Sequence, residues 1–256
     1  MTSNKFRFLT ITAVIVANMI GTGVFTSLGF QLLDIRSGFA LLMLWAVGGL
    51  VALCGAVTYA ELGAALPRNG GEYSLLRSIY HPAAGFVSGW ISSTVGFAGP
   101  TALAAMTFAA YTFSALPISP NPLLEKALAA TLLVIVTTIH ATNHRTSGGT
   151  QEIFTALKII VIVVFIIAVQ LFADSPQSIS FLPAEGEGAL LTSGTFAVAL
   201  IYVSFAYTGW NAATYLSSEV ENPQRNLPLV LITGTSIVTL LYLCLLYTSP
   251  SPRDRG

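Results

Sequence analysis

Charge is what this sequence has least of: Asp, Glu, Lys and Arg make up 9% of its 256 residues, against roughly 25% in an ordinary soluble domain. Too little polar surface is available to cover a water-soluble fold of this length. The 11 basic and 11 acidic residues cancel and no basic run occurs, so there is no footprint for nucleic acid or for polybasic docking to lipid. Cysteine is almost absent. Cys54 and Cys244 lie within apolar stretches, where a thiol is expected to pack as a small hydrophobe, and two such residues make neither a disulfide framework nor a metal site. No nucleophile stands beside a base and no phosphate-cradling loop follows a strand, so an enzyme has little support. No cofactor is expected.

Apolar residues are what the chain has instead, at 54% of the total. They gather in blocks of about 20, the length at which an α-helix crosses a hydrocarbon layer of roughly 30 Å. The pattern predicts an all-α polytopic membrane protein with seven spans at about residues 8–32, 39–60, 83–116, 123–141, 151–172, 193–217 and 227–247. The third block is too long to cross upright and contains Gly99-Pro100, which predicts a tilted, kinked helix. The first is too long for a signal peptide and lacks a small-residue cleavage site, so it reads as a retained span.

Orientation follows from the basic residues of the connections. With the N-terminus in the cytoplasm, Lys5, Arg7, Arg68, Arg77, Arg145 and Arg225 fall inside, whereas Arg36 and Lys126 fall outside. The last residues, YTSPSPRDRG, place two arginines outside against this bias. They are expected to be a non-native tail, 248–256, on a truncated permease domain, 1–247.

Two blocks carry interruptions where a helix would otherwise continue: Gly21-Thr22-Gly23 within ANMIGTGVFTS, and Thr208-Gly209 within SFAYTGWNAATY. They lie in the first and sixth blocks, five places apart in the order of spans, so the two segments run through the membrane in opposite directions. Discontinuous helices at matching places in two halves point to a transporter's midplane site. An unwound turn exposes N–H and C=O groups that lipid cannot satisfy but a zwitterion can. The N–H groups suit a carboxylate and the carbonyls an ammonium. Close packing of small residues is the competing explanation for each glycine pair.

Three strings carry a family resemblance. IGTGVF resembles the glycine motif of span one in amino-acid permeases, and YAELGAALPRNGGEYSLL resembles their connection between spans two and three. FAYTGWNAATYLSSEVENPQRNLP resembles the L-type amino-acid transporter branch of the amino acid–polyamine–organocation superfamily. The resemblance implies a leucine-transporter-type fold of five plus five inverted spans, of which seven spans are present here. It also implies a secondary active transporter of amino acids in the plasma membrane, working by exchange or proton coupling without sodium. The substrate's carboxylate is then expected at the amides of Thr22 and Gly23, beside Gly21. Its ammonium is expected at the carbonyls of Met19, Phe205, Ala206 and Thr208, with the ring of Phe205 as a gate. Members of the branch commonly have glycine where Thr208 stands. The added bulk predicts a narrower pocket, and small neutral amino acids are the expected substrates, with cationic amino acids or polyamines as the alternative.

Lys158 lies about seven residues into the fifth block, roughly 10 Å from its start. A lysine at that depth can snorkel back to the interface. The resemblance implies another role, since sodium-independent members carry a lysine here whose ammonium replaces a cation against the broken first helix. Animal relatives of the L-type branch join a glycoprotein through a cysteine between spans three and four. Leu116–Leu124 contains none, so no disulfide-linked subunit is expected. A seven-helix receptor or retinal protein also fits the span count, but neither needs paired interruptions. A channel would need a polar path or a filter loop that the sequence does not show.

Overall fold

The computed structural model describes residues 5–21, 23–35, 37–116, 121–142, 144–172 and 187–248. Thr22, Arg36 and the expected tail beyond Thr248 lie outside these residues. Helices α1 (Phe8–Met19), α2 (Gly23–Asp34), α3 (Gly38–Ala65), α4 (Gly71–Ile79) and α5 (Pro82–Ile91) lead into a π-helical stretch, Ser92–Ala98. Then come α6 (Gly99–Ala115), α7 (Pro122–Thr142), α8 (His144–Phe172), α9 (Glu187–Leu191) and α10 (Gly194–Ala206). A 3₁₀ segment, Trp210–Glu219, and α11 (Pro223–Thr248) complete the described chain. Among the described residues the only extended pairing is one parallel bridge between Phe6 and Val220.

Four of these segments are long and apolar enough to cross a membrane: Gly38–Ala65, Pro122–Ile139, Gly194–Glu219 and Pro223–Tyr247. Phe8–Met19 and Ile153–Ala168 are shorter apolar helices. The helix starts are set locally. Ser37 caps α3 by accepting from the Ala40 amide at 3.0 Å, and Ser193 caps α10 by accepting from Phe196 at 3.2 Å. Both satisfy amides that a helix leaves without an internal partner. Pro82 occupies the first turn of α5, where its missing N–H costs nothing.

Two expectations need correcting. The third block deviates through the π-helical turn Ser92–Ala98, which precedes Gly99-Pro100. Cys54 and Cys244 are exposed on the helix surfaces instead of packed inside. Pro223 begins α11, where its fixed φ suits the helix and its missing N–H is tolerated.

The chain forms two compact units, residues 1–71 with 155–256, and residues 72–154. In the first, α11 meets α3 at small residues, Gly49 and Gly63. Gly48, Ala52, Ala56 and Ala60 repeat every fourth position of α3 and are also buried, with Gly48 against Val203 and Tyr207. A Cβ at Gly49 would collide with Thr239, and one at Gly63 would come within 2.5 Å of Leu227. Small residues let the two backbones approach, which is how helices associate where no hydrophobic driving force separates lipid from protein. Around this pair are the fully buried Ile11, Ile15, Trp45, Val203, Leu231 and Tyr242.

In the second unit, α6 and α7 meet through Ala105, Ala109 and Ala129. The α5 backbone approaches α4 closely at Gly85, where a Cβ would lie 2.7 Å from that of Arg77. Large apolar side chains such as Phe97, Phe108, Val134 and Ile135 face outward. Such a surface is suited to acyl chains and not to water.

Candidate functional site

The two interruptions anticipated from glycine lie in the first unit and touch each other. α1 ends at Met19, Ile20 turns extended at φ −77°, ψ 90°, and α2 resumes at Gly23. α10 ends at Ala206, and the 3₁₀ segment resumes at Trp210 after Tyr207-Thr208-Gly209. Gly209 has φ +107°, a region that side chains with a Cβ rarely enter. A Cβ there would also lie 2.7 Å from the carbonyl carbon and oxygen of Asn18. On the other side of the contact, a Cβ at Gly23 would lie 3.0 Å from the Ala206 Cα. Glycine therefore lets each break rest on the backbone of the other. Gly21 differs: it is exposed, and a Cβ would meet nothing within 4 Å.

The carbonyls at these breaks have internal partners. Met19 accepts from the Gly21 amide at 3.0 Å and from the Tyr242 hydroxyl at 2.8 Å. The Phe205 carbonyl accepts from the Thr208 amide at 3.1 Å and from the Thr208 hydroxyl at 2.7 Å. Ala206 lies 3.4 Å from the Tyr242 hydroxyl. A carbonyl oxygen carries two lone pairs, so one partner leaves room for another. Thr208 is exposed with its hydroxyl folded onto its own turn, and Phe205, 47% exposed, is on the surface of the unit and not in its core.

Lys158 reaches the first break. As a residue it is exposed, but its ammonium donates to the carbonyls of Ala17 at 3.3 Å and Ile20 at 3.1 Å. These two acceptors stand at the end of α1, where the helix has no later amides to engage them. A cation there also complements the negative end of the helix dipole.

Sequence reasoning missed an aromatic cluster behind the breaks. Trp45, Tyr207 and Tyr242 are all buried, with ring centroids 5.2–5.8 Å apart. Tyr207 donates to the Trp45 carbonyl at 3.0 Å, and the Trp45 indole donates to Gln31 Oε1 at 2.7 Å. The Gln31 Nε2, also buried, has no partner among the described residues. A signal for part of this existed: Thr235, Thr239 and Tyr242 recur at i, i+4 and i+7 within an apolar block, which marks one polar face of a helix.

Asn69 was also missed. Its side chain accepts from the Ser218 amide at 2.9 Å and donates to Glu219 at 3.3 Å, while Phe6 pairs with Glu219 and Glu221 through the backbone. The connection after α3 and the segment before α1 thus converge on the end of the 3₁₀ segment. In the second unit, Arg77 donates to the Tyr73 hydroxyl at 3.0 Å. Trp210 stacks edge-on against Tyr59, with centroids 5.0 Å apart.

Among the described residues no group of His, Cys, Asp or Glu is placed to hold a metal ion. What the arrangement offers is backbone polarity and one ammonium, which suits binding a small zwitterion.

Over 233 residues the chain is 31% identical to b(0,+)-type amino acid transporter 1 of Homo sapiens, covering 90% of this chain and 48% of the relative. Over 240 residues it is 33% identical to Large neutral amino acids transporter small subunit 2 of Mus musculus, covering 90% of this chain and 44% of the relative. The chain spans a little under half the length of these relatives. Residues 6–251 match the family described as amino acid permease. With both interruptions, the connection after α3 and the start of α11 inside that match, the chain belongs to the amino acid permease family.

Proposed function

We propose that the chain holds the substrate-binding breaks of a sodium-independent secondary transporter of amino acids, set in the plasma membrane with the N-terminus in the cytoplasm. One observation carries the reading: two interrupted helices rest on each other at Gly209 and Gly23 while the Lys158 ammonium binds the carbonyls of Ala17 and Ile20. In this account the amides beginning α2, at Thr22 and Gly23, take the substrate carboxylate. The carbonyls of Met19, Phe205, Ala206 and Thr208 take its ammonium, and Phe205 closes over it. Lys158 supplies the positive charge that a sodium ion would otherwise bring to the first break. The seven spans would form part of an inverted-repeat fold, with matching breaks in spans one and six. Exchange and proton coupling both fit this site.

Small neutral amino acids are the proposed substrates. Thr208 adds bulk beside Phe205, and the two interrupted blocks, 8–32 and 193–217, contain no carboxylate for a cationic side chain. Nothing in Leu116–Leu124 provides a cysteine for a linked subunit.

The test is uptake into proteoliposomes by the longest form that the gene encodes, with a panel of labelled amino acids. Uptake of alanine-sized neutral substrates is expected, unchanged when choline replaces sodium, and amino-acid methyl esters are expected to compete poorly. Sodium-dependent uptake would remove the role given to Lys158, and esters competing as well as free acids would remove the carboxylate site.

A further inference from the structure

Gln31 is buried and only half satisfied. Its Oε1 accepts from the Trp45 indole N–H at 2.7 Å, while its Nε2 has no partner among the described residues. Turning the amide round gives no relief, because two N–H donors would then face each other. An apolar pair of the same shape at positions 31 and 45 would bury no unpaired donor and is expected to be at least as stable. A residue that breaks a packing rule in this way marks a place where the sequence serves something besides the core.

The bond joins both interrupted helices. Gln31 is on α2, eight residues and about 12 Å beyond Gly23. Trp45 is on α3, and its carbonyl accepts from the hydroxyl of Tyr207, the first residue of the second break, at 3.0 Å. A chain of two hydrogen bonds thus runs from the far half of the first broken helix, through Trp45, to the second break. A more direct tie from α2 to α10, the Ser27 hydroxyl on the Tyr202 carbonyl, is stretched to 3.3 Å. At Gly23 the α2 backbone rests on that of Ala206, and a contact of that kind limits approach without fixing rotation. We propose that Gln31 is a positioning residue that sets the length of the substrate: through Trp45 it fixes the rotation of α2 against the second break, and with it the span from carboxylate-binding amides to ammonium-binding carbonyls. The inference rests on the reading of the two breaks as those ends of the site. Gln31 itself touches no substrate. A fixed span favours α-amino acids, whose two charged groups stand on one carbon, over β-amino acids, in which a further methylene separates them.

The experiment compares three altered proteins with the wild type, each in the longest form that the gene encodes. Gln31→Met removes the acceptor. Benzothienylalanine at position 45 replaces the indole N–H by sulfur on a ring of the same shape, and the third protein carries both changes. Each single change leaves an unpaired donor, whereas the double change leaves none and remains assayable if the single ones fold poorly. Uptake of L-alanine, competition by β-alanine and melting temperature are measured. In the double variant the KM for L-alanine is expected to rise about three- to tenfold, the worth of one hydrogen bond of ordinary strength. Competition by β-alanine should stay within about twofold or improve, so that the preference for the α-amino acid narrows by a similar factor. The melting temperature should equal or exceed that of the wild type. An unchanged preference overturns the proposal, as does a wild-type protein that does not prefer L-alanine to β-alanine. A double variant that melts well below the wild type overturns it too, since the pair is then structural. The reading of the site is tested separately, on the wild type alone: if alanine methyl ester competes as well as alanine, the carboxylate end is absent and the proposal falls with it, whatever the variants do.

Discussion

Lys158 shows how one side chain can decide between two physical roles. A snorkelling lysine needs only its stem and a route to water, so alanine costs modest anchoring and arginine is close to neutral. The ammonium here instead donates to two carbonyls at the end of α1. Hydrogen bonds to a charged group contribute about 1.5–3 kcal/mol each. Lys158→Ala leaves both acceptors without that donor, and transport should fall by at least tenfold while the protein still inserts. Lys158→Arg keeps the charge but replaces a compact head with a planar fork, which two carbonyls spaced for an ammonium accommodate poorly. The expected order is therefore Lys far above Arg and Ala, measured as initial uptake normalised to the amount of inserted protein. Near-normal uptake in both variants would return Lys158 to the interface.

Among helices and breaks, glycines that look alike in sequence divide by geometry. Gly21, Gly23 and Gly209 all stood out as interruptions, yet only the latter two are in close contact with the opposing break. Gly209→Ala must place a Cβ at φ +107° against Asn18, and strain of this kind costs about 1–3 kcal/mol before the overlap is counted. A clearly lower melting temperature in detergent is expected. Gly21→Ala meets open space and should leave the melting temperature alone, while uptake falls if substrate approaches that backbone. A Gly21 variant that is as unstable as the Gly209 variant would contradict this division.

The same contrast shows what could be read from sequence. Both breaks were legible because glycine within a long apolar block is a local signal, and the lysine was legible because charge is rare there. Their partners were not. Tyr242 lies 223 residues from Met19 along the chain, and no periodicity states which carbonyl a hydroxyl will find. Asn69 sat unnoticed in a polar connection, where one more asparagine carries no signal. A kink was expected from Gly99-Pro100 because proline is visible in sequence, whereas the π-helical turn Ser92–Ala98 just before it leaves no such mark.

For the molecule as a whole, the proposed mechanism depends on which side of the membrane each connection faces. The two breaks belong to the first and sixth blocks, with four blocks between them, so they run antiparallel only if the intervening blocks cross an even number of times. Four segments are long and apolar enough to cross, and the others are interrupted or shorter helices whose crossing rests on the whole block. The positive-inside bias puts Arg68 in the cytoplasm and Lys126 outside. Labelling tests both statements. In a background carrying Cys54→Ser and Cys244→Ser, needed because both native thiols are exposed, Arg68→Cys and Lys126→Cys are treated with a membrane-impermeant maleimide on intact cells. Lys126→Cys should label at once and Arg68→Cys only after permeabilisation. Because one charge is removed from each connection, Arg68→Lys with a cysteine placed at Asn69 serves as a check that the substitution has not inverted the protein. Labelling of both positions from outside would mean that the third block, 83–116, which is the one proposed crossing between them, does not cross. The breaks would then run parallel, and a site built from the carbonyl end of one half-helix facing the amide end of another would lose its geometry.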